Sequence, residues 1–439
     1  MSDLLEAVRA GAAGGELQAL DLPTRFRAAY TRKDEVGIFD GMTDKDVRRS
    51  IHVGDVDMPE LAPDEVVVAV MAAAINYNTV WSAIFEPVPT FAFLEKLGRT
   101  GWNGARHDLP YHILGSDACG VVVRIGSGVR KWKVGDKVVV SPGIFDEEDH
   151  LSYEDSMLAT GQLAWGFENN FGAFGDFCVV KANQLIPKPT HLSWEEAASN
   201  TLCAATAYRM LVGLHSARMK QGDVVLIWGG TGGLGSYATQ LVRNGGGIPV
   251  AVVSSAEKAE LVRAQGCEHV INRSEFEFGE HGMRHPKAGR VLGEAVRRLV
   301  GEDPQIVFEY LGQETFGASV YVAARGGVVV TCGSSTGYKH EFDNRFLWMR
   351  LKRIIGSHGF NYAEAVATNR LINLGMIHPT LSTVFTLDEV GEATRAVQTN
   401  QHVGKVAVLC AATEEHQGVD DPAKRERIGE DRITLYRRR

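Results

Sequence analysis

Residues 224–236 read VVLIWGGTGGLGS, an apolar run followed by a cluster of glycines. The apolar run predicts a buried strand, and the pattern from Leu234 to Asn244 predicts a helix. Glycines at such a junction permit a tight turn and let backbone N–H groups approach a pyrophosphate at the positive end of the helix. A simple turn, the alternative interpretation, does not need so many glycines. The predicted dinucleotide contacts are Gly230, Thr231, Gly232, Gly233 and Leu234.

Strand and helix patterns alternate through the segment around this turn. Further strands are predicted at 248–254, 305–308, 327–332 and 353–357, with a helix at 256–265. Such alternation predicts a parallel sheet with helices on both faces. Upstream, short strands separated by glycines, such as Glu65–Met71 and Gly120–Gly126, predict a barrel-like β domain. The expected fold class is α/β, with a β-barrel domain and a doubly wound Rossmann domain.

The change of pattern places the domain boundaries. Ser193-Trp194-Glu195-Glu196 has the serine-to-glutamate spacing of a helix N-terminus. We assign residues 1–192 to the β domain with an N-terminal extension, and 193–360 to the cofactor domain. Residues 361–439 are assigned to a return to the first domain and a C-terminal tail. The tail from Lys424 to Arg439 is predicted to be solvated and frayed.

The end of the strand at 248–254 indicates which dinucleotide binds. NAD sites usually place a carboxylate there for the ribose 2′-hydroxyl. This chain has Ser254 and Ser255 at that point. Lys258 follows one turn later, and Arg273 follows the next predicted strand. Hydroxyls and cations suit a 2′-phosphate, which a carboxylate would repel, so NADPH is predicted over NADH. The predicted cofactor contacts also include Thr206, Cys332 and Gly333.

Composition and charge exclude several classes of protein. The 439 residues carry a formal net charge of −8 without a dense basic stripe, so a nucleic-acid partner is not expected. The six cysteines include no Cys-x-x-Cys pair, which argues against a zinc ribbon and favours a reducing, cytoplasmic location. We expect no membrane association, because the sequence has no secretory signal and no apolar stretch of about 18 residues.

The order of the predicted domains resembles the medium-chain dehydrogenase/reductase superfamily, in which a GroES-like β domain precedes a Rossmann domain. Alcohol dehydrogenases of that superfamily hold a catalytic zinc through a cysteine, a Gly-His-Glu segment and a second cysteine. The matching segments here read INYNT at 75–79 and LGSDACG at 114–120. Cys119 alone cannot build a tetrahedral site, so no metal is expected. Zinc-free members of the superfamily reduce activated C=C bonds.

Longer segments resemble the crotonyl-CoA carboxylase/reductase family specifically. They are 76–81 (NYNTVW), 84–87 (IFEP), 106–112 (RHDLPYH), 165–172 (WGFENNFG), 314–320 (ETFGASV), 343–349 (DNRFLWM) and 352–358 (KRIIGSH). The resemblance extends from Arg27 to Leu409. In that family NADPH delivers hydride to the β-carbon of an α,β-unsaturated acyl-CoA. The enolate then attacks CO2 and gives an alkylmalonyl-CoA.

The resemblance implies a CO2 pocket formed by Asn78, the backbone of Phe167, Glu168 and His358. The Asn78 amide can donate to one oxygen of CO2, while His358 and an ordered water approach the other. Glu168 can fix the histidine tautomer. From the residues alone, plainer interpretations stand beside these roles: a helix-capping Asn78, a surface charge at Glu168, and a hydrogen-bonded core histidine at 358.

The resemblance also implies an enoyl-CoA substrate and a homotetramer that is a dimer of dimers. Arg345 and Arg353 are predicted substrate contacts, because cations suit the phosphates of CoA. Two departures from the family pattern, Ala173 for a glycine and Gly333 for an alanine, leave the acyl-chain preference open. Two other functions remain: a non-carboxylating NADPH-dependent enoyl-thioester or quinone reductase, and a dinucleotide-binding protein without catalysis.

Overall fold

The computed structural model describes residues 2–437, and these residues form two compact units. The first unit contains the chain up to Leu202, together with Asn361–Asn369 and Leu381–Glu430. The second contains Cys203–Phe360, Arg370–Thr380 and the described chain from Asp431 onward. The functional domain boundaries after residues 192 and 360 stay a prediction.

Short strands and helices alternate irregularly in the N-terminal part of the chain. In chain order these elements are α1 (Asp3–Arg9), α2 (Gly14–Ala19), β1 (Arg25–Arg32), β2 (His52–Asp57), β3 (Glu65–Ala74), α3 (Tyr77–Ile84), α4 (Thr90–Gly98), α5 (Trp102–Ala105), β4 (Tyr111–Ile113), β5 (Ala118–Ile125), β6 (Lys137–Val140), β7 (Gly143–Ile144), α6 (Ser152–Asp155), β8 (Leu163–Ala164), β9 (Phe177–Lys181), β10 (Leu185–Pro187) and α7 (Trp194–Ala198). Helix α7 begins as the sequence predicts, since the backbone N–H of Ser193 donates to Glu196 Oε2 at 3.0 Å.

A regular alternation of strands and helices follows. Its elements are α8 (Thr201–Val212), β11 (Val224–Trp228), α9 (Gly233–Asn244), β12 (Ile248–Val253), α10 (Ala256–Ala264), β13 (His269–Asn272), α11 (Ala288–Val300), β14 (Ile306–Glu309), α12 (Phe316–Val322), β15 (Val328–Thr331), α13 (Asn344–Trp348) and β16 (Arg353–Gly356). The C-terminal part adds α14 (Tyr362–Asn373), β17 (Leu381–Thr386), α15 (Val390–Gln398), β18 (Lys405–Leu409), α16 (Pro422–Ile428) and α17 (Glu430–Ile433). Short 3₁₀-helices lie at Lys33–Glu35, Val47–Arg49, Ser156–Leu158, Ala182–Gln184, Arg273–Glu275, Gly279–Arg284 and Leu387–Glu389.

The second unit is built on a six-stranded sheet in the order β13-β12-β11-β14-β15-β16. Every neighbouring pair runs parallel. All five residues of β11 are buried, as in a central strand that is covered on both faces. The chain order of the strands reverses at β11, and ligands of such sheets bind beyond the carboxyl ends of the strands at this point. The predicted Rossmann sheet is confirmed.

The first unit is organised around β3, whose ten residues are all buried. Its main sheet has the order β10-β6-β5-β3-β18-β17, and β9 also pairs with β3. Strand β18 comes from the C-terminal part of the chain and runs antiparallel to β3, with Ala407 opposite Ala74. A second sheet has the order β2-β1-β4, and β7 pairs with β8. The turn between β3 and α3 therefore lies beside β18 and β5.

The C-terminal segment differs from the frayed tail that the sequence predicts. Arg425 on α16 forms an ion pair with Glu196, whose side chain is completely buried. Tyr436 is 1% exposed and donates to Gln265 Oε1 at 3.3 Å. The prediction was wrong for these residues because their partners lie far away in the sequence; Arg438 and Arg439 lie outside the described residues. Between residues 2 and 437, no helix has the length and apolar character needed to cross a membrane.

Candidate active site

Glycines shape the turn from β11 into α9 through close backbone contacts. Gly229 has φ +58°, a conformation that L side chains rarely adopt. A Cβ on Gly235 would lie 2.2 Å from the carbonyl oxygen of Gly229, and one on Gly230 would lie 2.8 Å from the Ala251 side chain. Gly232 is the N-cap of α9, so the free N–H groups of the first helical turn follow it directly. This turn has the form of a pyrophosphate site.

Tyr310, just after β14, stabilises the same turn through a hydrogen bond. Its hydroxyl donates to the Gly229 carbonyl oxygen at 2.8 Å. A Cβ on Gly232 would lie 2.6 Å from that hydroxyl, so the ring also requires glycine there. Burial raises the pKa of Tyr310, which keeps the phenol protonated and able to donate.

The serines after β12 have two different roles. The Ser254 hydroxyl accepts a hydrogen bond from Lys258 Nζ at 3.4 Å. The Ser255 hydroxyl instead caps α10 by accepting from the Lys258 backbone N–H at 3.3 Å. Burial, and then the positive charge of Arg273, lower the pKa of Lys258. A phosphate placed beside Lys258 and the Ser254 hydroxyl would favour the charged form of this lysine.

The remaining predicted cofactor contacts lie on neighbouring elements of the second unit. Arg273 forms an ion pair with Glu314 through Nη1. Thr206 is buried on α8, and Cys332 is partly buried directly after β15. A Cβ on Gly333 would lie 3.5 Å from the Tyr310 carbonyl oxygen, which is an ordinary contact distance. The alanine of the family pattern would therefore also fit at this position.

Asn78 lies in the first turn of α3, and its amide faces Ser116. Asn78 Nδ2 lies 3.0 Å and Oδ1 lies 3.2 Å from Ser116 Oγ. The N-cap of α3 is Asn76, so the helix-capping interpretation of Asn78 does not hold. The Asn76 side chain does not cap the helix either, since its amide bonds to Asp117 Oδ2 at 2.9 Å.

The loop that carries Phe167 and Glu168 packs closely against the loop of Ser116. Gly166 has φ +68°, and a Cβ there would lie 1.9 Å from the carbonyl oxygen of Gly115. The Phe167 ring lies 6.5 Å from the ring of Trp81, which is on α3 one turn after Asn78. The structure thus brings Asn78 and Phe167 to the same region of the first unit.

Hydrogen bonds inside the loop and from His112 hold Glu168 and Asn169 in place. Glu168 Oε2 accepts from the backbone N–H of Ala164 at 2.7 Å, and its side chain is partly buried rather than a free surface charge. His112 Nε2 bonds the Asn169 carbonyl oxygen at 3.1 Å, while Nδ1 bonds the Thr90 hydroxyl at 2.9 Å. Burial lowers the pKa of His112 to about 4, so this histidine is neutral near pH 7.

His358 and the two predicted substrate arginines belong to the second unit. His358 follows β16 and is exposed, which excludes a buried core histidine. Arg353 is the first residue of β16 and is exposed at this edge of the sheet. Arg345, on α13, is exposed and bonds Asp343 through Nη2 at 2.6 Å.

Comparison with known proteins identifies the family. The chain is 52% identical over 433 residues to "Crotonyl-CoA reductase" of Streptomyces collinus, and the match covers 97% of each chain. It is 39% identical over 376 residues to "Crotonyl-CoA carboxylase/reductase" of Cereibacter sphaeroides, with 83% of this chain and 84% of the other covered. The chain belongs to the crotonyl-CoA carboxylase/reductase family. The predicted family is confirmed.

Solved structures and family models agree with this assignment. The 2-octenoyl-CoA carboxylase reductase CinF, in complex with NADP and 2-octenoyl-CoA, matches with a TM-score of 0.97 and 57% identity over 99% of both chains. The model described as the alcohol dehydrogenase GroES-like domain matches residues 62–190, and that described as zinc-binding dehydrogenase matches residues 233–373. The predicted combination of a GroES-like domain with a Rossmann domain is confirmed.

The donor set of this crotonyl-CoA carboxylase/reductase family member does not fit the zinc that one family model is named for. Within the described part of the chain, no three His, Cys, Asp or Glu side chains come together as ligands. Burial raises the pKa of Cys119 to about 12, so its thiol stays protonated, whereas zinc binds the thiolate. The neighbouring carboxylate of Asp117 is paired with Lys405.

Three site features were not found from the sequence. In the sequence, the segment around Ser116 indicates only that a zinc ligand is absent, whereas in the structure the Ser116 hydroxyl contacts Asn78. Tyr310 has no motif of its own, although it supports the glycine turn. Lys405 lies about 290 residues from Asp117, so only the antiparallel pairing of β18 with β3 reveals their contact.

Proposed function

We propose that this protein catalyses the NADPH-dependent reductive carboxylation of an α,β-unsaturated acyl-CoA, crotonyl-CoA or a longer enoyl-CoA, to an alkylmalonyl-CoA. The observation that carries the proposal is the pairing of the Asn78 amide with Ser116 beside the loop of Phe167 and Glu168. An amide donor next to a constrained backbone suits CO2, which is uncharged and offers only weak acceptors. Relatives named crotonyl-CoA carboxylase/reductase support the same reaction.

The second unit supplies the cofactor contacts. NADPH, when bound, supplies the hydride that reduces the C=C bond at the β-carbon. The turn at Gly230–Gly233 and Leu234 holds the pyrophosphate through backbone N–H groups. Ser254, Lys258 and Arg273 hold the 2′-phosphate, and Ser255 keeps the start of α10 in place for them. CinF, bound to NADP, is 57% identical to this chain. The other proposed contacts are Thr206, Cys332 and Gly333.

Carboxylation depends on what happens to the enolate. Hydride addition at the β-carbon moves the C=C electron pair to the α-carbon and the thioester oxygen. The α-carbon then forms the new C–C bond with CO2, whose own π electrons move to the carboxylate. We assign one oxygen of CO2 to the Asn78 amide and the other to His358 with an ordered water, fixed by Glu168, while Phe167 contributes its backbone. Protonation of the enolate would give the saturated acyl-CoA, so exclusion of bulk water from the site favours carboxylation over simple reduction.

Exposed groups of the second unit support the proposed substrate contacts and the proposed assembly. We assign the CoA phosphates to Arg345 and Arg353, which are exposed cations. A homotetramer, as a dimer of dimers, is supported by the edge strand β16 and by two exposed apolar side chains just before it. Trp348 and Leu351 are 61% and 65% exposed, a combination that a partner subunit would cover. All six cysteines are present as thiols, which supports a cytoplasmic location.

Product analysis tests the proposal. Purified protein is mixed with NADPH and trans-enoyl-CoA substrates of four to eight carbons, with and without bicarbonate and carbonic anhydrase, and the acyl-CoA products are identified by mass. We expect the alkylmalonyl-CoA whenever CO2 is abundant. A saturated acyl-CoA as the sole product at high CO2 would instead support a plain enoyl-thioester reductase, the activity in the name of the Streptomyces collinus relative. No NADPH oxidation with any chain length would indicate a protein without this catalysis.

A further inference from the structure

The buried lysine Lys405 in the first unit connects to Asn78 through the side chains of Asn76 and Ser116. It has no role in the reaction proposed above. Lys405 is the first residue of β18, and its side chain is 2% exposed. Its ammonium donates to the Ile75 carbonyl oxygen at 2.9 Å, to Asn76 Oδ1, and to Asp117 Oδ2 at 3.2 Å. The three acceptors match the three N–H groups of an ammonium. The lysine is therefore fully satisfied and held in one orientation.

Lys405 determines which way the Asn76 amide faces. Asn76 Oδ1 receives the ammonium, so Nδ2 must point to the opposite side. On that side Nδ2 lies 2.9 Å from Asp117 Oδ2 and 3.4 Å from Ser116 Oγ, both of which can accept. The reversed amide would place an NH₂ group against the ammonium and a carbonyl oxygen against the carboxylate. In a buried site this reversal is strongly disfavoured.

The hydrogen bonds continue through Ser116 to Asn78. Ser116 is completely buried, and its oxygen accepts from Asn76 Nδ2 at 3.4 Å. The same hydroxyl contacts both ends of the Asn78 amide: it donates to Oδ1 at 3.2 Å and accepts from Nδ2 at 3.0 Å. Asn78 is therefore held in place through both amide atoms, and the second N–H of Nδ2 remains for a ligand.

We propose that Lys405, Asn76 and Ser116 are positioning residues that hold the Asn78 amide in place for its hydrogen bond to CO2. This inference rests on the proposed function, because it concerns the group assigned to CO2. Asp117 holds the relay in place: one of its oxygens accepts from Lys405 and Asn76, and the other accepts from the Leu202 backbone N–H at 2.9 Å. Loss of these hydrogen bonds leaves the Asn78 amide free to move out of position, which weakens CO2 binding without removing the hydride-transfer machinery.

Two variants test opposite ends of the relay. Ser116→Ala removes the hydroxyl. Lys405→Met combined with Asp117→Asn removes the ammonium without leaving an uncompensated buried carboxylate. Each is assayed for the CO2 KM, the ratio of alkylmalonyl to saturated acyl-CoA, and the rate of NADPH oxidation at saturating enoyl-CoA. We expect about a two- to tenfold rise in the CO2 KM for each variant, the range of a lost hydrogen bond. NADPH oxidation should stay near the wild-type rate, and excess bicarbonate should restore the alkylmalonyl product.

Two controls separate the possible failures. Thr368→Val is the matched control for Ser116→Ala, because it removes a buried hydroxyl of the first unit that donates only to a backbone carbonyl. It should leave the CO2 KM unchanged. Asn78→Leu should shift the product toward the saturated acyl-CoA. If Asn78→Leu keeps the wild-type product ratio, the proposed CO2 site itself is wrong. If Asn78→Leu shifts the ratio but Ser116→Ala or the Lys405 double variant keeps the wild-type CO2 KM, the relay is wrong. An equal fall in hydride transfer and carboxylation that bicarbonate does not restore would also overturn it.

Discussion

The hydroxyl of Tyr310 donates a hydrogen bond to the carbonyl oxygen of Gly229 at 2.8 Å. Gly229 is the first residue after β11 and has a positive φ, and its carbonyl oxygen also accepts from the Gly232 backbone N–H at 2.8 Å. The phenol supplies a second donor to that oxygen and stabilises the turn before any ligand is bound. Tyr310 therefore supports the glycine turn of the proposed cofactor site, although it need not touch the cofactor.

We expect Tyr310→Phe to raise the NADPH KM by about two- to tenfold, because a net hydrogen bond contributes about 0.5–1.5 kcal/mol. The kcat should change little, since the reacting atoms are unaffected. Steady-state kinetics with varied NADPH provide the measurement. Tyr321→Phe is the matched control, because the Tyr321 ring packs on Phe346 in the same unit. Equal KM values for Tyr310→Phe and the wild type would remove Tyr310 from the site.

Lys258→Ala should change cofactor preference. Lys258 is the cation hydrogen-bonded to Ser254, and charge-assisted hydrogen bonds contribute about 1.5–3 kcal/mol. We expect kcat/KM for NADPH to fall about 10- to 150-fold, with little change for NADH, which lacks the 2′-phosphate. Lys287→Ala, at an exposed lysine of the same unit, controls for the lost charge. A parallel fall for both cofactors would show that Lys258 does not bind the 2′-phosphate.

Gly166→Ala should destabilise the loop that carries Phe167 and Glu168. The new methyl group would meet the Gly115 carbonyl oxygen at 1.9 Å, and φ of +68° is unfavourable for alanine. We expect a loss of about 2 kcal/mol or more in the free energy of unfolding. Gly161→Ala, a few residues earlier, places its methyl group 3.6 Å from Asp146 and should cost about 0.5 kcal/mol or less. Thermal unfolding of the two variants compares these costs, and similar melting temperatures would contradict the geometry.

His112 should make the stability of the protein depend on pH. Its pKa is about 4 when folded and about 6.5 in an unfolded chain, so the unfolded state binds more protons between these values. The contribution of neutral His112 is complete above pH 6.5 and is lost as the pH falls toward 4. The slope is at most about 1.4 kcal/mol per pH unit. His112→Gln should flatten the fall in melting temperature between pH 6.5 and 4.5 relative to the wild type, and an unchanged slope would exclude His112 as its source.

The sequence predicts the regular parts of the protein well. Strand β11 has the predicted bounds, and α9 begins one residue before the predicted Leu234, because apolar periodicity and glycines act locally. The tail was predicted wrongly because Arg425 is stabilised by Glu196, a partner more than 200 residues away. For the same reason the contact of Asp117 with Lys405 becomes visible only when β18 pairs with β3.

The candidate site shows the same division. The glycine turn, Ser254 and Lys258 could be named from the sequence because each follows a strand at a fixed offset, and their contacts with NADPH stay a prediction. Their supporting residues were not found, because a hydroxyl such as Ser116 gains its role only from the direction of the groups around it. Asn78, Phe167, Glu168 and His358 were named through resemblance to a family, and their roles toward CO2 stay a prediction.

In the proposed reaction, CO2 bound at Asn78 traps the enolate. Crotonyl-CoA and NADPH are incubated with ¹³C-bicarbonate and carbonic anhydrase, and the products of the wild type and Asn78→Leu are compared by mass spectrometry. We expect a dicarboxylic acyl-CoA with one ¹³C for the wild type, and mainly unlabelled saturated acyl-CoA for Asn78→Leu with hydride transfer retained. An unlabelled saturated product from the wild type, or an undiminished labelled product from Asn78→Leu, would contradict it.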